Sequence, residues 1–145
     1  MKVYLDACCL SRLTDDQAQS RIRDEAEAIE EVLAKTHLGI VDLIGSDVLD
    51  DEVRRIPSVE RRLEVEALLS LATKRIEVDE NIVLRARELN RAGYGPYDSL
   101  HLAAAESAEA DVLLSTDDRL VKRAARAVGE PRIPVRNPVS WIKEQ

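Results

Sequence analysis

The sequence is poor in the large aromatic residues that often fill a protein core. It has no phenylalanine, three tyrosines and one tryptophan. Its 145 residues are nevertheless 45% hydrophobic, so the core must be built from Leu, Ile, Val and Ala. This length and composition suit one globular domain with one core. We therefore expect a single domain over residues 1–145.

Cysteine and histidine are also rare, with two of each. Cys8 and Cys9 are adjacent, which disfavours a disulfide framework, and no further His or Cys stands at the spacing of a structural zinc site. We expect both to be buried as small apolar residues.

No apolar run approaches the roughly 20 residues of a membrane helix, and Asp6 ends the N-terminal apolar run too early for a signal peptide. These absences predict a cytoplasmic protein with no membrane partner.

Negative charge exceeds positive charge, with 28 acidic and 21 basic residues and a net charge of −7. This balance disfavours a protein that holds nucleic acid through a strongly basic surface. It does not exclude a nuclease, because bound divalent metals offset the charge of a carboxylate site. The sequence also lacks a Gly-rich phosphate loop. Asp6 is not part of an Asp-x-Asp arrangement, so a phosphatase-like enzyme is disfavoured.

Short apolar runs alternate with amphipathic segments along the whole chain. Strands are predicted at 2–5, 40–44, 111–115 and 133–135. Helices are predicted at 15–35, just after Ser46, at 58–72, at 79–92, from Tyr97 and after Asp118. Thr14, Asp15 or Asp16 is expected to cap the long helix, and Ser46 and Asp79 to cap two others. This order predicts an α/β layer fold with a mostly parallel sheet.

Carboxylates stand beside the predicted strands at four places: Asp6, Glu52, Asp98 and Asp118. In open parallel sheets, functional groups collect at the carboxyl ends of the strands, so these four can converge. Carboxylate oxygens are the ligands that Mg²⁺ and Mn²⁺ prefer. Two such ions about 3.5–4 Å apart activate water for phosphodiester cleavage. The pattern therefore favours an acidic metal site.

Each of these residues also has a structural interpretation. Asp6, Asp98 and either Asp117 or Asp118 can cap the helix that follows. Glu52 ends the run Asp50-Asp51-Glu52, and such runs usually form a solvated face. His101 lies one turn after Asp98 and can reach it, but we expect a packing role. Only the combination of carboxylates favours a functional site.

The combination resembles the PIN domain nearly end to end. The segments that carry the resemblance are VYLD ending at Asp6, GSDVLDDE ending at Glu52, YDSLHLAAA containing Asp98, and DVLLSTDDRL containing Asp118. The resemblance implies a three-layer α/β/α sandwich and Mg²⁺- or Mn²⁺-dependent RNA cleavage, as in VapC-like toxins of toxin–antitoxin pairs. It assigns catalysis to Asp6, Glu52, Asp98 and Asp118, metal ligation to Asp6, Asp98 and Asp118, and support to Thr116 and Asp117.

One position departs from the family pattern. Family members often have Asn or Ser two residues after the first aspartate, and this chain has Cys8, which puts a hydrogen bond to Asp6 in question. The sequence thus predicts a metal-dependent endoribonuclease that acts on RNA, with a possible antitoxin partner and a homodimeric state. The alternative is a PIN-like binding or assembly module with weak or no nuclease activity.

Overall fold

A computed structural model describes all 145 residues and contains one five-stranded sheet. The strands are β1 (Lys2–Leu5), β2 (Asp42–Ser46), β3 (Lys74–Ile76), β4 (Val112–Leu114) and β5 (Val135–Arg136). Their order is β3-β2-β1-β4-β5, and every neighbouring pair is parallel. The predicted parallel sheet is confirmed, and it contains one strand, β3, that the sequence analysis did not predict.

Eight helices connect the strands and complete a three-layer α/β/α sandwich. They are α1 (Ala7–Ser11), α2 (Ser20–His37), α3 (Asp47–Arg54), α4 (Val59–Leu69), α5 (Glu80–Ala92), α6 (Pro96–Ser107), α7 (Asp118–Ala125) and α8 (Pro138–Lys143). None of them is both long and apolar enough to cross a lipid bilayer.

The core is aliphatic, as expected for a chain without phenylalanine. A cluster of 32 buried hydrophobic residues fills the space between the sheet and the helices, and only Tyr4, Tyr94 and Trp141 among them are aromatic. The central strands β1 and β4 are apolar at successive positions because helices cover both faces of a parallel sheet. Because these two buried strands are parallel neighbours, Asp6 and Thr116, which follow them, lie at the same edge of the sheet.

The predicted start of the long helix is wrong. Helix α2 begins at Ser20, and its N-cap residue, Gln19, makes no capping hydrogen bond through its side chain. Asp15 instead forms ion pairs with Arg12 and Arg61. Its carboxylate is therefore engaged with two cations, and residues 14–18 form a turn before the helix.

The second strand also lies two residues later than predicted. The amides of Ile40 and Val41 both bond to the carbonyl of Lys35, so these residues complete the end of α2. Gly39 makes this turn at a φ of +74°, a conformation that glycine adopts without a steric cost. The helix caps predicted at Ser46 and Asp79 are confirmed.

Candidate active site

Asp6 lies at the junction of β1 and α1, where it serves as the helix N-cap. Its Oδ1 accepts hydrogen bonds from the backbone amide of Cys9 at 3.2 Å and from the thiol of Cys8 at 2.6 Å. The side chain is almost fully buried. Burial raises the pKa of this carboxyl well above its usual range. Capping and a functional role are compatible here, because Oδ2 is left for another partner.

Asp98 is a half-buried carboxylate with no hydrogen-bond or ion-pair partner in the chain. It stands in the first turn of α6, but the N-cap of that helix is Gly95, so the capping interpretation of Asp98 is wrong. The pKa of Asp98 is raised to about 6, mainly by burial and then by the nearby charges of Asp117, Asp6 and Glu52. Helix capping therefore gives no reason for a carboxylate at this position.

Glu52 differs from the other members of its acidic run. Asp50 pairs with Arg75, and Asp51 pairs with Arg55 and accepts a hydrogen bond from the hydroxyl of Tyr97. Glu52 faces the other way, with its Oε1 3.2 Å from Nε2 of His101. The interpretation as a surface charge run therefore does not extend to Glu52.

Asp117 and Asp118 have different environments although they are adjacent. Asp117 caps α7 by accepting hydrogen bonds from the amides of Arg119 and Leu120, and it is the strongest of the neighbouring charges that raise the pKa of Asp98. Asp118 forms a two-pronged ion pair with Arg21, at 2.9 and 2.8 Å. This pair lowers the pKa of Asp118. The structure thus places Asp117 near Asp98 and holds Asp118 at the rim.

The thiol of Cys8 supplies the hydrogen bond to Asp6 that the departure from the family pattern put in question. The same sulfur accepts from the amide of Thr116 at 3.4 Å and lies 3.6 Å from the hydroxyl of Ser115. Cys8 therefore links the ends of β1 and β4. Cys9 is buried beside it and donates to the carbonyl of Leu114 at 3.3 Å.

The donor set fits a hard divalent cation by its chemistry. Like charges converge on the half-buried Asp98, and a bound cation relieves such repulsion. The carboxylates stand apart in the structure: the one group of three potential ligand atoms within 4.8 Å of one another is Asp6, Cys8 and Cys9. Because Cys9 is occupied by a backbone carbonyl, the oxygen donors are the better ligands.

An open cavity of about 610 Å³ adjoins the acidic residues. Basic and amide side chains form part of its wall: Arg12, Gln19, Arg21 and Arg119. Arg12 and Arg21 also bind the buried carboxylate of Glu25, whereas Arg119 is exposed and forms no ion pair. The cavity therefore places cationic groups next to Asp117 and Asp118, whereas Asp6, Glu52 and Asp98 do not line it.

Sequence inspection missed several polar residues around this site. Tyr4 forms buried hydrogen bonds behind Glu52, and Arg21 and Glu25 connect α2 to the site. Ser46 and His101 bond to Tyr4 there, although the sequence predicted only a helix cap for Ser46 and a packing role for His101. The spacing of four residues between Arg21 and Glu25 was a visible signal of an ion pair. The hydroxyl of Tyr4 had no such signal, because a tyrosine in an apolar strand is usually a packing residue.

A parallel sheet between two helical layers, with carboxylates at the carboxyl ends of its strands, defines an α/β/α protein with a candidate metal centre. The family model of the PIN domain matches residues 3–126. The chain therefore belongs to the PIN-domain family, whose members are generally nucleases.

Solved structures share the fold at low sequence identity. VapBC2 from Rickettsia felis, crystallised with a DNA fragment from its promoter, has a TM-score of 0.61 and 14% identity over 94% of this chain and 98% of that chain. PAE2754 from Pyrobaculum aerophilum has a TM-score of 0.56 and 16% identity over 100% of this chain and 91% of that chain. No curated protein sequence matches the chain significantly.

Proposed function

We propose that the chain is a Mg²⁺- or Mn²⁺-dependent endoribonuclease of the toxin type that acts in the cytoplasm. The observation that carries the proposal is the half-buried carboxylate of Asp98, which has no partner and whose pKa is raised by burial and by the charges of Asp117, Asp6 and Glu52. Repulsion among these carboxylates is unfavourable in the absence of a cation. Membership of the PIN-domain family supports the same assignment.

In this proposal Asp6, Asp98 and Asp118 hold the metal. A bound divalent cation lowers the pKa of water and offsets the charge that develops on a phosphodiester during cleavage. Because Arg21 holds Asp118 in the structure, Asp118 must leave this ion pair in order to serve as a ligand. Thr116 and Asp117 support the ligands from the segment between β4 and α7.

The remaining groups orient water and substrate. Glu52 helps to orient the attacking water. Arg119, which has no ion-pair partner, contacts RNA phosphates in the adjoining cavity. No side chain acts as a nucleophile in this scheme.

A binding or assembly module is the second candidate function. The engagement of Asp118 by Arg21 and the net charge of −7 favour it, because the first occupies a carboxylate and the second weakens RNA binding.

The deciding measurement is cleavage of a mixed RNA pool by the purified protein. We expect cleavage in Mg²⁺ or Mn²⁺, none in EDTA, and recovery when the metal is restored. As a control, the protein is treated with EDTA and then given Ca²⁺. This larger ion offsets the charge of the carboxylates but differs from Mg²⁺ and Mn²⁺ in size and preferred coordination. Intact RNA under both metals would favour the binding module.

We also propose an antitoxin partner, since the similar Rickettsia structure is of VapBC2 bound to promoter DNA, and we propose that the chain forms a homodimer. The exposed apolar side chains of Val59 and Leu63 on α4, each 57% accessible, and of Leu84 on α5 support an interface on these helices. We expect light scattering to give twice the chain mass at tens of micromolar and Leu63→Glu to give the monomer. A wild-type monomer under these conditions would contradict a stable dimer.

A further inference from the structure

A continuous chain of hydrogen bonds runs through the core behind Glu52. The amide of Leu49 donates to Oγ of Ser46 at 3.1 Å, and this Oγ lies 2.7 Å from the hydroxyl of Tyr4. The Tyr4 hydroxyl lies 2.6 Å from Nδ1 of His101. Nε2 of the same ring lies 3.2 Å from Oε1 of Glu52. Tyr4, Ser46 and His101 are all at most 1% accessible.

The donors and acceptors fix the direction of this chain. The amide of Leu49 can only donate, and the ionised carboxylate of Glu52 can only accept. Nε2 of His101 must therefore carry a proton, and in the neutral ring Nδ1 is then an acceptor. Tyr4 donates to Nδ1, and Ser46 donates to the Tyr4 oxygen. Every polar atom is satisfied by this single arrangement, consistent with the absence of unpaired buried side-chain atoms.

We propose that Tyr4 and His101 are positioning residues, which hold Glu52 toward the acidic site through a hydrogen bond from Nε2–H of His101 to the Glu52 carboxylate. Glu52 stands on the short helix α3 and its side chain is 30% accessible, so without this contact it would have free rotamers. The ring of His101 is itself held by an edge contact with Tyr4 and by stacking against Tyr97. We call this chain of hydrogen bonds from Ser46 through Tyr4 and His101 to Glu52 the relay. Through it, buried side chains of the core restrict the conformation of one partly exposed carboxylate.

The expected effect of Glu52 on catalysis rests on the proposed nuclease function, whereas the hydrogen bonds of the relay do not depend on that function. Supporting partners of this kind typically change activity or metal affinity by about 10–100-fold when they are removed. This assignment replaces the packing role that the sequence alone suggested for His101.

The first test is the tautomer of His101, measured by ¹⁵N–¹H correlation spectra of the imidazole rings. The chain has two histidines, and the exposed His37 at the end of α2 is the internal reference. We expect His101 to be neutral and protonated at Nε2 in the wild type. Glu52→Ala, which removes the acceptor at Nε2, should release this preference, and Tyr4→Phe should weaken it. Tyr97→Phe should keep it, because the Tyr97 hydroxyl bonds to Asp51 and not to His101. A His101 protonated at Nδ1 would overturn the proposal.

The second test is the effect on cleavage. We expect His101→Ala to lower kcat by about 10–100-fold with little change in KM, and His101→Gln, which retains an N–H near the Nε2 position, to recover part of the loss. Wild-type turnover by a folded His101→Ala would refute the positioning role while leaving the nuclease intact. If the wild type itself cleaves no RNA, the proposed function fails, and the tautomer measurement still decides the relay.

Discussion

Asp98→Asn is expected to lower RNA cleavage by at least about 100-fold, because a metal site contributes several kcal/mol to the stabilisation of the transition state. The same variant should be more stable than the wild type when both are free of metal. Asp98 is half-buried among like charges, and its pKa is raised to about 6. Removing this charge at neutral pH should raise the free energy of unfolding by about 1–2 kcal/mol, after allowance for solvent screening.

The pH dependence of stability provides a check on the same group. A carboxyl whose folded-state pKa exceeds its unfolded value binds more protons in the folded state. In the metal-free wild type, Asp98 should therefore contribute a gain in stability as the pH falls through about 6, and metal affinity should fall over the same range. Asp98→Asn should lack this contribution, whereas the contributions of Asp6, whose pKa is raised, and of Cys8, whose pKa is lowered to about 6, are present in both proteins. Urea unfolding in EDTA at pH 7.5 and 5 measures the difference.

Matched Asp→Asn variants distinguish a carboxylate that binds the metal from one that only adds negative charge. Asp24→Asn removes an exposed aspartate on α2 that forms no ion pair and should leave cleavage and stability unchanged. Comparing Asp117→Asn with Asp118→Asn identifies the fourth carboxylate of the site. If only Asp117→Asn loses activity, the ion pair between Asp118 and Arg21 is structural. Cleavage by Asp98→Asn at the wild-type rate would refute the proposed site.

Glu25→Ala is expected to destabilise the protein by about 1–3 kcal/mol, since it removes charged hydrogen bonds to a buried carboxylate, while the partners Arg12 and Arg21 remain partly exposed to solvent. The carboxylate of Glu25 is 1% accessible on α2. It accepts hydrogen bonds from Arg12 at 2.9 Å and Asn137 at 2.8 Å, and pairs with Arg21 at 3.4 Å. One buried charge on α2 therefore binds Arg12 just after α1 and Asn137 at the start of α8.

The measurement is chemical unfolding at pH 7 in the absence of metal. Glu27→Ala, two residues along the same helix, removes an exposed carboxylate without an ion pair and should change stability by less than about 0.5 kcal/mol. Glu25→Gln keeps the shape and one hydrogen-bond acceptor and should cost less than Glu25→Ala. A loss below about 1 kcal/mol in Glu25→Ala would show that Arg12 and Arg21 find solvent or other partners.

The predicted architecture follows from features that are local in sequence. Apolar runs such as 111–115 predict strands, and the helical periodicity of amphipathic segments such as 79–92 predicts helices. Their alternation requires a parallel sheet covered on both faces, and this rule places Asp6 and Thr116 at the same edge. The sequence thus determined the fold class, the aliphatic core and the neighbourhood of the acidic residues.

Only the tertiary structure decided which side chains meet. Asp117 and Asp118 are indistinguishable by spacing, yet Arg21 engages one of them from a helix almost a hundred residues away. Likewise His101 was expected near Asp98, one turn away, but bonds to Tyr4 and Glu52 on other elements. Periodicity specifies the face on which a residue lies, whereas a hydrogen bond or ion pair depends on the three-dimensional approach of groups that share no local pattern in the sequence.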